Sequence, residues 1–242
     1  MITAAAVWAL PLVVLLPGCS GEQDVVPELT LADASKQVTF ASTEALGPHR
    51  YQALQERVEY RYGDERSRHA ESLEVLWQDW DHFSYQHQVN GQTVESVRVY
   101  LGQCWVLRAG EWDAVDDAEP YRTQLRMSWN AWEQVITRFG DRVELTSEGI
   151  EPVEGRSAHR YAVSLMEPAA ALGSGPRARN TLDPLELQGT LWLDEATAVH
   201  LTGRLRGVLG REGYTQEQTV QLARTEIGTL EKIEPPDLGK DQ

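Results

Sequence analysis

From Tyr51 onward, apolar and polar residues alternate along the chain with a period of two. In ALQERVEYRY, Leu54, Val58, Tyr60 and Tyr62 share one parity, with Glu56 the exception. ESLEVLWQD groups Leu73, Val75 and Trp77, and HFSYQHQV groups Phe83, Tyr85, His87 and Val89. NGQT is a tight-turn signal between two such runs. ESVRVYL follows with Val97, Val99 and Leu101, and then CWVLRAGEW with Trp105 and Leu107. Alternation of this kind, bounded by turn residues, predicts half-buried strands in an antiparallel meander.

The period changes once. Between residues 118 and 139, Tyr121, Leu125, Trp129, Trp132, Ile136 and Phe139 recur at steps of three and four, which predicts one long amphipathic helix. Asp117 suits its N-cap, Glu119 and Pro120 its first turn, and Gly140 its end. Strands resume in RVELTSEGIEPV and SAHRYAVSLM. A loop rich in Ala, Gly, Pro and Arg spans residues 167–186, and LQGTLWLD, VHLTGRLRGVL and TQEQTVQLARTEIG follow. The tail IEPPDLGKDQ reads as frayed.

Five strands, a long helix and five more strands make an α+β pattern with one dominant sheet. A sheet with one face to bury and a single helix to cover it can curl around that helix as an open half-barrel, leaving an apolar trough. Trp77, Tyr85, Trp105, Trp129, Trp132 and Trp192 are the candidates to line that trough. An ordinary filled core would produce the same aromatic pattern.

The first residues, MITAAAVWALPLVVLLPG, carry no Lys, Arg, Asp or Glu. The apolar run is about 15 residues, short of the roughly 20 that cross a bilayer. Pro11 would also interrupt a buried helix. This is the shape of an export signal. Its end, Leu16-Pro17-Gly18-Cys19, resembles the lipobox of bacterial lipoproteins. The resemblance implies cleavage before Cys19 and acylation of its thiol, which anchors the protein to a membrane. Ser20 resembles the residue that permits transfer to the outer membrane. The expected organisation is a signal over 1–18, a lipidated Cys19 with a flexible tether over 19–48, a half-barrel domain over 49–234, and a tail over 235–242.

The chain of 242 residues carries a formal net charge of −15, with no basic patch, which argues against a nucleic-acid partner. With Cys19 acylated, Cys104 has no partner in the chain and reads as a small packed residue. Asp79, Asp81, His82 and His87 could be imagined around a metal. On a strand, however, Asp79 and Asp81 share a face that His82 does not, so the carboxylates read as caps of a turn and no metal is expected. His49, His69, His159 and His200 are scattered. No GxSxG, HExxH or CxxC pattern occurs, so neither catalysis nor a cofactor is expected.

Three stretches, VRVYLGQCWVLRAGEW, EGRSAHRYAVSL and GTLWLDEATAVHLTGRLRG, resemble the LolA/LolB-like superfamily of half-barrel lipid-handling proteins, over about residues 50–230. The resemblance implies a lipid or lipoprotein acyl chain as ligand. The resulting expectation is an envelope lipoprotein, facing the periplasm, that binds or transfers an acyl chain, lipid or other amphiphile without chemistry. The alternative is an envelope adaptor with a filled core and a protein partner.

Overall fold

The structure, a computed structural model, describes residues 43–128, 131–166 and 182–238. The expected signal, Cys19, most of the tether and Trp129 lie outside the described residues. Among the described residues there are eleven strands: β1 (His49–Arg61), β2 (Asp64–Asp79), β3 (His82–Val89), β4 (Gln92–Tyr100), β5 (Gln103–Arg108), β6 (Glu111–Val115), β7 (Val143–Val153), β8 (Arg156–Leu165), β9 (Asp183–Asp194), β10 (His200–Arg211) and β11 (Tyr214–Thr225). They form one antiparallel sheet in the order β6-β5-β4-β3-β2-β1-β11-β10-β9-β8-β7. The sheet is not closed, because β6 and β7 are its free edges. Two meanders meet where β1 pairs with β11, so the first strand of the chain stands at the centre.

Six strands precede the helical stretch, not the expected five. CWVLRAGEW is a hairpin in which Ala109 and Gly110 both take positive φ, the geometry of a two-residue type I′ turn. The same pairing of a non-glycine residue with glycine turns the chain at Tyr62-Gly63, Asn90-Gly91, Leu101-Gly102 and Glu154-Gly155.

The core face of β1 also differs from expectation. His49, Tyr51 and Ala53 are buried and face the helical layer, and Gln55 Nε2 donates to the Ala131 carbonyl at 3.3 Å. Leu54, Val58, Tyr60 and Tyr62 have the opposite parity, and Tyr62 at the turn is 80 % exposed. The outer face of this strand is apolar enough to mimic a core face. There Glu56 pairs with Arg68, and Glu217 with Arg206, beside the buried Val58.

The expected single helix over 118–139 resolves into α1 (Glu119–Ser128), α2 (Ala131–Ile136) and a 3-10 helix (Thr137–Arg142). Asp117 caps α1 as expected, its Oδ1 accepting from the Glu119 N–H at 2.9 Å. Gly140, at φ 61° and ψ −138°, breaks the helical path. This stretch runs from the β6 edge to the β7 edge across the concave face. Its buried side chains include Leu125, Trp132, Val135, Ile136 and Phe139, which join Val75, Phe83, Val97, Leu191 and Leu205 of the sheet in one core.

Glycines on β10 make room for this layer. A Cβ on Gly203 would come within 3.1 Å of Trp132 Cζ3, and one on Gly207 would overlap the Phe139 ring. Neither glycine has positive φ, so they are there for space and not for conformation. Four strand residues span about 13 Å. Seven residues of pure α-helix rise only about 10 Å. Tightening the last turn to a 3-10 helix stretches the reach to about 12 Å, which matches the two seats.

The C-terminal stretch is better held than a frayed tail. Ile233 and Pro236 are buried, and the Ile233 N–H donates to Gln78 Oε1 at 3.2 Å. Arg98 Nη1 donates to the carbonyls of Glu234 and Pro235. The segment therefore lies on the outer face, which carries Gln78 and Arg98.

Gly207→Ala is expected to destabilise the fold by about 1–3 kcal/mol, because Phe139 must leave its seat. Phe139→Leu in the same chain should recover part of that loss, since the two positions touch. Urea midpoints of the two single variants and the double variant measure this. Strictly additive effects would refute the proposed seat.

Candidate functional site

The concave face and the helical layer on it form the candidate site. Trp77 on β2, Tyr85 on β3 and Trp132 on α2 all belong to its core and are almost fully buried. Tyr85 Oη donates to Glu95 Oε2 at 2.7 Å, and Gln124 Nε2 donates to the same oxygen at 2.6 Å, tying α1 to the rim.

Trp105 and Trp192 are not brought together with these. Trp105 pairs across the sheet with Arg98 and Ala114, on the face opposite Val97, Cys104 and Val106. Trp192 also points outward. It packs against a small second core of Leu46, Ala158, Val199 and Leu201, with Arg160 5.3 Å from its ring and its Nε1 donating to Glu151. Cys104 is a packed core residue, and burial pushes its thiol up to about 11.

The Asp79–His82 stretch turns the chain between β2 and β3. Asp79 Oδ1 accepts from the Asp81 N–H at 2.8 Å and lies 2.9 Å from His82 Nδ1. Arg122 of α1 donates to the Trp80 carbonyl and to Asp81 Oδ1, each at 3.0 Å, and Arg126 stacks 4.6 Å from the Trp80 ring. This turn clamps α1 at one end of the concavity.

At one end of the central strands lies a polar cluster that the periodicity does not single out. Arg224 of β11 is directly opposite Tyr51 of β1, with its guanidinium carbon 4.5 Å from the Tyr51 ring. Its Nη1 donates to the His200 carbonyl. The His200 ring is 6.2 Å from Trp132, and the His49 ring is 5.5 Å from Trp77. Arg224, Tyr51, His49 and His200 are all buried. Burial lowers the guanidinium to about 10, so it stays charged at neutral pH. A signal for Arg224 was present in the sequence: it shares parity with Val220 and Leu222, and an inward arginine in an apolar row is informative.

Two small cavities of about 80 Å³ each flank α2. One is walled by Ala53, Leu73, His87, Ala131 and Gln134; the other opens between Arg57, His69 and Arg138. Glu71 borders both, 2.6 Å from His69 Nε2. A larger open groove, about 430 Å³, lies on the outer face along Gln52, Leu54, Ser72, Gln86, Gln88 and Gln221.

Burial, and then the Arg224 charge, lower His49 to about 4 and His200 to about 3, against 6.5 when exposed. The unfolded chain therefore binds protons that the folded chain refuses. Stability contributed by the neutral rings is complete above about pH 7 and falls as pH drops from 6.5 toward 4, by up to about 1.4 kcal/mol per unit and per group. His200→Gln should flatten the urea midpoint over this range relative to the unaltered chain. Parallel profiles for the two would contradict the assignment.

No family model matches the chain, and no curated protein matches it. Several solved structures are similar to it. LprF from Mycobacterium bovis is 14 % identical with a TM-score of 0.35, covering 86 % of this chain and 99 % of its own. The lipoprotein LppX from Mycobacterium tuberculosis is 17 % identical with a TM-score of 0.34, covering 85 % and 96 %. A LolA superfamily protein from Nitrosomonas europaea is 7 % identical with a TM-score of 0.24, covering 86 % and 98 %. At these scores the likenesses assign neither a ligand nor a residue role to this chain.

Proposed function

We propose that this protein is a membrane-anchored envelope lipoprotein that binds or transfers an acyl chain, lipid or other amphiphile on its concave face, without catalysis. One observation carries this reading: the apolar concave face is covered by a strip of short helices and not by a second sheet. Trp132, Val135, Ile136 and Phe139 hold that strip by about 6–12 kcal/mol of burial. An acyl chain of about sixteen carbons gains a similar amount, at about 0.8 kcal/mol per CH₂. A lipid tail and the helical strip are therefore matched competitors for one face. The N-terminal lipobox-like stretch supports anchoring through acylated Cys19, with the polar residues that follow it as tether and the outer membrane as destination; the expected tether bound at 48 is too late, because Thr43 and Leu46 are buried and Leu46 packs in the second core of the domain.

A second reading is an envelope adaptor with a protein partner. It is favoured by the closeness of the core, since the cavities beside α2 are small and Trp77, Tyr85 and Trp132 are buried.

Native mass spectrometry of the full chain carrying Cys19→Ser, purified without detergent, separates the two. An adduct of lipid or fatty-acid mass, removed by delipidation and regained on adding lipid, is expected. A clean mass with no uptake would discard the lipid reading in favour of the adaptor.

A further inference from the structure

Arg224 is 1 % exposed, yet its Nε and Nη2 donate to no acceptor among the described residues. These two nitrogens form the side edge of the guanidinium, the edge that grips a carboxylate or phosphate through two parallel hydrogen bonds. The rest of the group is held in place. Nη1 donates to the His200 carbonyl, and the Tyr51 ring packs against the guanidinium plane. Among the described residues no carboxylate forms an ion pair with it; the neighbouring titratable side chains His49, His200 and Tyr51 are not anions at neutral pH.

A buried cation without a counter-charge is costly, and a leucine at this position would simply continue the row of Val220 and Leu222. Water could satisfy the hydrogen bonds but could not supply the missing charge. A fork fixed in direction, buried and unpaired on its side edge has the donor geometry of an anion-binding group.

We propose that the free edge of Arg224 receives the single negatively charged head, carboxylate or phosphate, of an amphiphile whose tail lies between the sheet and α2. This rests on the amphiphile reading above and deepens it by fixing the ligand's charge and direction. A cavity of about 80 Å³ walled by Ala53, Leu73 and Ala131, with Glu71, His87 and Gln134 at its polar side, lies one pleat along β1 from Tyr51, and it is the space beside α2 into which a tail leaving Arg224 would start. The head is then the buried end of the ligand. A bulky zwitterionic head would not fit this role, because it brings a second, positive charge to a site that already holds one.

The test uses the full chain carrying Cys19→Ser, titrated calorimetrically with oleate, oleyl phosphate, oleyl alcohol, acetate and inorganic phosphate. Oleate or oleyl phosphate should bind at least about tenfold more tightly than oleyl alcohol, and acetate and phosphate should bind far more weakly. Arg224→Gln should bring that preference below about twofold by weakening the charged ligands more than oleyl alcohol, and Arg224→Lys should keep part of it. Equal binding of oleyl alcohol and both charged ligands, or a preference that survives Arg224→Gln, overturns the anion site while the amphiphile reading stands. Acetate or phosphate binding as tightly as the long-chain anions overturns the role of the tail. Failure of every long-chain compound to bind overturns both readings. Should Arg224→Gln not fold, the charge preference of the unaltered chain and its weakening in Arg224→Lys decide the matter.

Discussion

An open antiparallel sheet has a curved apolar face and no partner sheet to lay against it, so the structure depends on how that face is kept from water. Here the cover is the stretch from Glu119 to Arg142, which crosses from one free edge to the other. Its two largest contacts on β10 are rings set over glycines, Trp132 over Gly203 and Phe139 over Gly207. Close packing of this kind is strong when the rings are seated, and much of it is lost once they move, because dispersion falls off within an ångström. The cover is thus held by a few defined seats.

The buried cluster around Arg224 imposes the opposite requirement. Apolar packing asks for the face to stay shut, whereas a guanidinium with an open pairing edge asks for a charge to be admitted. Both demands fall on neighbouring residues: Tyr51 sits against Arg224, and Ala131 of the cover accepts a hydrogen bond from Gln55 on the same strand. A face that is both covered and electrically incomplete suits reversible occupation better than permanent closure.

Much of this architecture was legible in the alternation of apolar residues. The strands from Leu73 to Val99 and those from β8 to β11 follow the period-two pattern, with Trp77 and Tyr85 on the inward face, whereas Leu101, grouped with Val97 and Val99 by parity, is an exposed turn residue. The extra hairpin was missed because its turn, Ala109-Gly110, lacks the usual Asn or Asp, although glycine after a forced positive φ is its mark. β1 was misleading because Leu54, Val58 and Tyr60 are apolar on the outer side. For Trp105 and Trp192, size alone does not reveal which side of the sheet the ring occupies; pairing with Arg98 and Thr202 does. The change to a 3-10 turn after Ile136 is not visible in a continuous apolar stripe, whereas the seats of Trp132 and Phe139 depend on Gly203 and Gly207 of a distant strand. Arg224 stays hidden in a pattern of apolar residues because it is a charged member of the inward row of Val220 and Leu222.

The central position of β1 has a kinetic consequence. Its two neighbours lie at very different distances along the chain: β2 follows at once, whereas β11 ends at Thr225. The first meander can therefore form early, but one side of β1 stays an unpaired edge until nearly the whole chain is available. Contacts of such long sequence separation are slow to form. An exposed edge that waits for its partner is also a template for pairing with other chains. Folding of this protein is thus gated by its last strand, and the interval before β11 docks is when a chaperone that shields strand edges would matter most.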